Sequence, residues 1–295
     1  MTPVPPARPP VAPLLAVEDL HVRFPGPGGA VEAVRGVSFT LKREKLGIVG
    51  ESGSGKSTLG RAILRLVPPP GEVRAKRLEL LGTELSDLSE EEMREFRGRH
   101  VSMILQDPGF SLNPVMTVGA QIAEAWQTHT GHSWKKSRRR VLAMLQAVRI
   151  RDPERVFDAY AHELSGGMSQ RAMIAMMLIT EPDLLIADEP TSALDVTVQT
   201  QVLAILDELV SRRGMGLIFI SHDLGLVASF CDRVLVMYGG RIIESCPAAE
   251  LDNATHPYTR GLLAAQPTLE RAGGRLPVME RDPAWLAEAD TGPGR

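Results

Sequence analysis

The sequence predicts an α/β fold built on a mostly parallel sheet that is covered on both faces. Three observations carry that expectation. Short aliphatic runs at residues 46–49, 184–187, 217–220 and 234–237 read as buried strands, and helical patterns separate most of them. A glycine-rich turn follows the first of these strands and leads straight into a helix. With 295 residues, 43% of them apolar, the chain is long enough to bury a substantial core.

Composition narrows the class. The net charge of −3 provides no basic field for a nucleic-acid partner. Two cysteines, Cys231 and Cys246, exclude a disulfide scaffold and any CxxC metal or redox motif, so both read as small buried hydrophobes. No apolar run approaches the roughly 20 residues needed to span a bilayer. Residues 1–13 are crowded with prolines where a signal peptide would carry its apolar stretch, and they read as a disordered, Pro-rich leader.

The elements follow in order. Val17, Leu20, Val22 and Phe24 suggest a strand, broken by the Pro-Gly-rich segment after it. Val37, Phe39 and Leu41 alternate as a second strand. The helix after the glycine-rich turn is expected over 56–67, stopped by Pro68, Pro69 and Pro70. Ser89 and Glu92 have capping-box spacing and open another helix. Residues 110–170 form a helical region, in which Val141, Leu142, Leu145 and Val148 share a face. The neighbouring Lys135, Lys136, Arg138, Arg139 and Arg140 read as a solvated face.

Ser165, Gly166 and Gly167 open a helix that is apolar nearly all round and is expected to reach about Thr180. Val198, Val202, Ile205, Leu206 and Leu209 mark a further helix, ended by Gly214. Gly239 and Gly240 join the strand at 234–237 to one at 241–244 as a hairpin. The tail, 266–295, is rich in Pro, Gly and charge and reads as poorly ordered.

The chemistry is concentrated in three segments. Gly50-Glu51-Ser52-Gly53-Ser54-Gly55-Lys56-Ser57-Thr58 matches G-x-x-x-x-G-K-[ST] between a strand and a helix. Glycines let the backbone curl so that successive N–H groups face phosphate oxygens, and the helix N-terminus adds positive potential. Lys56 would reach the β- and γ-phosphates, and the Ser57 hydroxyl would ligate Mg²⁺. In the second segment, a buried strand delivers Asp188 to the sheet edge where open α/β sheets bind nucleotides. Asp188 is expected to hold the Mg²⁺, and Glu189 to polarise an attacking water.

The third segment, Leu164-Ser165-Gly166-Gly167-Met168-Ser169-Gln170-Arg171, resembles the signature of ATP-binding cassette (ABC) ATPases. Gln106 matches the Q-loop of that family, Asp195 its D-loop and His222 its switch histidine, in the family's order. The resemblance covers about residues 14–265. It implies a P-loop NTPase fold of ABC type, with an antiparallel β-subdomain and a helical subdomain at about 110–170. It also implies catalytic roles for Glu189, His222 and Gln106, with Gln106 contributing to the metal site. Phe24 stands where the family stacks an aromatic on adenine. ATP and Mg²⁺ are the implied cofactors. Each ATP would lie between the phosphate loop of one subunit and Ser165, Gly166, Gly167 and Gln170 of another.

Finer matches at 103–119, 164–177, 187–196 and 255–263 look like the dipeptide, oligopeptide and nickel importer group. The implied partners are a second ATPase subunit, two membrane permease subunits and an extracytoplasmic solute-binding protein, with no nucleic acid. The location would be peripheral, on the cytoplasmic face of the cell membrane. Residues 110–126 are the expected docking patch for the permease. An ABC ATPase outside transport, in phosphonate degradation, DNA repair or on the ribosome, is the alternative. Many members of this group carry a cysteine-rich iron–sulfur segment after the His-Pro-Tyr-Thr stretch. The tail here contains no cysteine, so no such cluster is expected.

Overall fold

The computed structural model describes residues 12–106, 111–192 and 194–265, together with Asp282 and Trp285. The expectations for the leader and the tail therefore lie outside the described residues, apart from residues 12, 13, 282 and 285.

One sheet carries the glycine-rich turn. Its strands are β3 (Lys45–Val49), β7 (Val101–Ile104), β8 (Leu184–Asp188), β9 (Gly216–Ile220), β10 (Arg233–Tyr238) and β11 (Arg241–Pro247). They lie in the order β11-β10-β3-β9-β8-β7. Every neighbouring pair is parallel except β10 with β11, which pair antiparallel across the expected Gly239-Gly240 hairpin. Both turn glycines have positive φ, as a tight hairpin turn requires.

All residues of β7, β8 and β9 are buried, which explains their unbroken aliphatic sequences. The pleat divides them between two cores. Leu185, Ala187, Leu217 and Phe219 join one core. Leu184, Ile186, Ile218 and Ile220 join the other.

The first core is helical. In addition to α1 (Lys56–Ile63) and α2 (Glu90–Arg99), the chain forms α3 (Val118–Thr130), α4 (Trp134–Ala147) and α5 (Pro153–Asp158). Next come α6 (Gly166–Leu178), α7 (Val196–Arg213), α8 (Leu224–Phe230) and α9 (Pro257–Ala264). Helices α3 to α8 contribute Ile122, Leu145, Phe157, Ile174, Leu206 and Val227, among others, to this core. The second core lies under a five-stranded antiparallel sheet of β1 (Leu15–Phe24), β2 (Val31–Leu41), β4 (Glu72–Arg74), β5 (Arg77–Leu80) and β6 (Thr83–Glu84). Leu59 and Ile63 of α1 fill the space beneath it.

The structure departs from the expectations in three places. Helix α1 stops at Ile63, well before the prolines, because Arg65 adopts φ 53°. The Leu66 N–H then closes on the Arg61 carbonyl at 2.8 Å, a left-handed helix termination. The Arg65 guanidinium is spent on the carbonyls of Leu85 and Leu88. Strand β2 begins at Val31, earlier than the alternation at 37–41 suggests. Strands β4 to β6 were not expected, since Glu72, Arg74, Arg77 and Glu79 disguise a short alternating pattern. By contrast, the Ser89–Glu92 capping box on α2 is formed at both of its hydrogen bonds.

Helix α8 crosses β3 at Gly47. A Cβ at that position would sit 2.2 Å from Val227 Cγ1 and 3.2 Å from Cys231 Sγ. Burial pushes the Cys231 thiol up to about 12, as expected for a packing cysteine. Replacing Gly47 by alanine overfills this contact and should lower stability by about 1–3 kcal/mol. Urea denaturation measures the loss, and an unchanged midpoint would show that α8 has room to move away from β3.

Candidate functional site

Four loops converge at the C-terminal edge of the parallel sheet, where such folds place their ligands. The glycine-rich loop leaves β3, Gln106 follows β7, Glu189 follows β8 and His222 follows β9. They surround a cavity of about 480 Å³ whose lining includes Ala33, Lys56, Ser57, Gln106, Glu189 and His222. Ser52, Gly53, Gly55 and Thr58 line it as well. That volume falls in the range of small-ligand sites.

The loop keeps its shape through glycines and backbone braces. Gly50, Gly53 and Gly55 all have φ in the left-handed half of conformational space. A Cβ on Gly55 would lie 2.3 Å from the Ala33 carbonyl oxygen, and one on Gly50 2.2 Å from that of Met237. From the β10–β11 hairpin, the Gly240 N–H donates to the Ser54 carbonyl at 3.1 Å. Gly55 caps α1, whose first turn carries no acidic residue of its own, so the helix N-terminus adds positive potential at the cavity.

Lys56 is 5% exposed. Its ammonium donates to the carbonyls of Gly50 and Glu51, both at 2.7 Å, and more distantly to Ser54 Oγ. Burial holds it below the usual lysine range, against the opposing pull of the Glu189, Asp188 and Glu51 carboxylates. Across the cavity floor, Ser57 Oγ donates to Asp188 Oδ1 at 2.8 Å. Burial raises the Asp188 carboxyl above the usual aspartate range, while the Ser57 hydrogen bond and the charges of Arg61 and Lys56 pull it back.

Glu189 has φ 45°, a strained value for a residue with a side chain, and its N–H is anchored to the Ile220 carbonyl at 2.9 Å. Its carboxylate accepts a hydrogen bond from Gln106 Nε2 at 3.1 Å and faces His222 Nδ1 at 3.0 Å. Three residues far apart in sequence therefore meet as one polar group. Such a group can position a water molecule and take a proton from it.

The signature residues lie elsewhere. Ser165 caps α6 by backbone geometry, but its side chain makes no capping hydrogen bond. Ser165 and Gly167 line a second cavity, of about 370 Å³, beside Arg149, Arg151, Arg155 and Arg171. Ser165 and Gly166 are exposed. Gln170 instead points inward: it is 2% exposed and donates from Nε2 to the Pro190 carbonyl at 2.5 Å. It thus ties α6 to the turn that carries Glu189 within the same chain. Asp195 caps α7, accepting the Val198 N–H at 3.0 Å.

Phe24 does not line the 480 Å³ cavity. It packs against the second core beside Gly71, where an added Cβ would stand 2.7 Å from its ring. In the stretch 110–126, Leu112, Val118, Ile122 and Ala123 are core residues, and Val115 is 79% exposed. Phe110 itself lies outside the described residues. Sequence reasoning missed the Gly240 brace and a hydrogen bond from the Glu51 N–H to the Tyr258 hydroxyl at 3.0 Å.

Comparison with known proteins places the chain in a family. A sequence profile of the family described as ABC transporter matches residues 34–192. The chain is similar to the probable peptide ABC transporter ATP-binding protein of Sinorhizobium fredii. The two are 51% identical over 90% of this chain and 80% of the relative. Similarity to the oligopeptide transport ATP-binding protein of Bacillus subtilis is 49% over 88% of this chain and 74% of the relative. Among solved structures, a dimeric post-hydrolysis state of an ATP-binding cassette with bound ADP and phosphate matches at TM-score 0.70 and 25% identity. The match covers 79% of this chain and 98% of that one.

Gly55→Ala should weaken binding of a non-hydrolysable ATP analogue at least about tenfold, because the loop cannot keep its shape against Ala33 and at φ 100°. Titration calorimetry reads the effect. Wild-type affinity would mean that the loop tolerates a side chain there.

Proposed function

The chain belongs to the ABC transporter family, and from that premise we propose that it is the ATP-hydrolysing subunit of an importer of peptides or similar small solutes. Glu189 carries the reading. Its carboxylate is held between Gln106 and His222 at the mouth of a cavity floored by Lys56 and Ser57. The names of the relatives favour import over phosphonate degradation, DNA repair or ribosome association.

In this reading the ATP phosphates enter the 480 Å³ cavity and receive the loop N–H groups of Gly53, Ser54, Gly55 and Lys56. Lys56 exchanges its carbonyl partners for phosphate oxygens, which relieves the desolvation of a buried ammonium. Ser52, Gly50 and Thr58 complete the loop wall. Phe24, at the end of β1 beside Gly71, is the aromatic this reading assigns to adenine stacking.

The residues present suit Mg²⁺. Ser57 and Asp188 offer hard oxygen donors in contact with each other, and Gln106, which carries an amide oxygen, lines the same cavity as Ser57. Among the described residues, no three His, Cys, Asp or Glu side chains gather as a complete metal site. The nucleotide phosphates would have to supply the remaining ligands. Bound there, Mg²⁺ would neutralise negative charge on the β- and γ-phosphates. Glu189 accepts a proton from the attacking water, and His222 and Gln106 hold Glu189 in place.

The opposite half of the site comes from a second cassette. The two helix N-termini that suit phosphate, those of α1 and α6, open into different cavities. Ser165, Gly166 and Gly167 would therefore serve a nucleotide held by another subunit, whereas Gln170 stabilises its own chain. Asp195, at the start of α7, would stand at the same junction. Among the described residues no helix is long and apolar enough to cross a membrane. Attachment to the cytoplasmic face of the membrane then depends on two permease subunits, with exposed Val115 the candidate contact in the 110–126 stretch. A solute-binding protein would deliver the cargo on the far side.

Glu189→Gln should lower ATP turnover by about 10²–10⁴-fold while ATP binding survives. Lys56→Ala should weaken binding itself, because it removes a charge from the phosphate cradle. Steady-state ATPase rates and calorimetry on the two variants separate these effects. Normal turnover in Glu189→Gln would remove the proton-acceptor role, and undiminished affinity in Lys56→Ala would remove the phosphate role.

A further inference from the structure

The peptide unit between Gly50 and Glu51 is gripped at both ends. At its carbonyl end, Gly50 O accepts from Lys56 Nζ at 2.7 Å. At its other end, the Glu51 N–H donates to the Tyr258 hydroxyl at 3.0 Å. Because a peptide unit is planar, fixing one end orients the other. Tyr258 therefore acts on the same group that parks the phosphate-binding lysine.

Tyr258 is fully buried at the start of α9 and is well placed to act in this way. Glu244 of β11 accepts hydrogen bonds from the N–H groups of Thr255 and His256, fixing the approach to that helix. The Tyr258 ring lies 4.5 Å, centroid to centroid, from that of Tyr238. Tyr238 ends β10, immediately before the glycines whose hairpin braces Ser54. Two separate supports of the phosphate loop thus start from one aromatic pair.

Trp285 closes the group. This residue of the C-terminal segment is 8% exposed and meets Tyr238 edge-on at 5.8 Å, Tyr258 at 5.9 Å and His256 at 6.2 Å. Edge-to-face contacts of this kind favour a fixed ring arrangement. We propose that Tyr258 is a positioning residue for the phosphate loop and that Trp285 sets it. A loop held in its binding shape before nucleotide arrives loses less entropy on binding.

The proposal rests on the ATP reading of the loop, and its test keeps the two apart. Affinity for MgATP analogue and ATPase kinetics are measured on the full chain and on Tyr258→Phe, Trp285→Ala, Trp285→Phe and the Tyr258→Phe/Trp285→Ala double variant. Tyr258→Phe keeps the ring and removes the hydroxyl that accepts from the Glu51 N–H, so affinity should fall about 3–10-fold, with KM changing more than kcat. Trp285→Ala should shift affinity in the same direction and Trp285→Phe should restore most of it. The double variant should lose no more than the worse single one, because both act through one support. Wild-type affinity in Tyr258→Phe, a loss confined to kcat, or multiplicative losses in the double variant would overturn the proposal. A wild-type chain that binds no MgATP would overturn the ATP reading together with it.

Discussion

The site depends on a buried ammonium group that rests on carbonyl dipoles. Lys56 is almost wholly out of water, yet its nearest partners are the neutral oxygens of Gly50, Glu51 and Ser54. Among the described residues no carboxylate pairs with it at contact distance, and it gains most from a ligand that brings negative charge. Keeping it there demands a backbone curl that only glycine tolerates at positions 50 and 55. The curl in turn needs braces, and these come from the Ala33 strand, the Gly240 hairpin and Tyr258.

The parallel sheet makes the rest possible. Its central strands are buried on both faces, so their C-terminal ends are fixed by packing against two cores. Asp188, Glu189 and His222 occupy or follow strand ends, and Gln106 follows another, which is why their side chains meet without any shared local sequence. Strain at Glu189 is held by a hydrogen bond to the neighbouring strand β9. The helical core also reaches the site from the side, since Gln170 links α6 to Pro190 next to Glu189. Movement of the signature helix would therefore be felt at Glu189 within the same chain.

Much of this was legible in the sequence where the signal was local. The aliphatic strands, the glycine-rich turn, the Ser89 capping box and the Gly239-Gly240 hairpin each carry a periodic or capping pattern within a few residues. What stayed hidden depended on distant partners. Tyr258 reaches Glu51 across 207 positions, and nothing near either residue announces it. Gln170 belongs to a motif that suggests an exposed role, but it is buried and bonded to the Pro190 carbonyl. Short charged strands such as β4 and β5 gave too little alternation to stand out.

In the proposed reading a second cassette completes the site, and the N-termini of α1 and α6 open into different cavities of one chain as that arrangement needs. A structure of the Glu189→Gln variant with MgATP tests this most directly. The account predicts two cassettes head to tail, with each nucleotide between Lys56 of one and the serine of the signature, equivalent to Ser165, of the other. A nucleotide held by the phosphate loop alone, with Ser165 facing solvent in a cassette dimer, would contradict it.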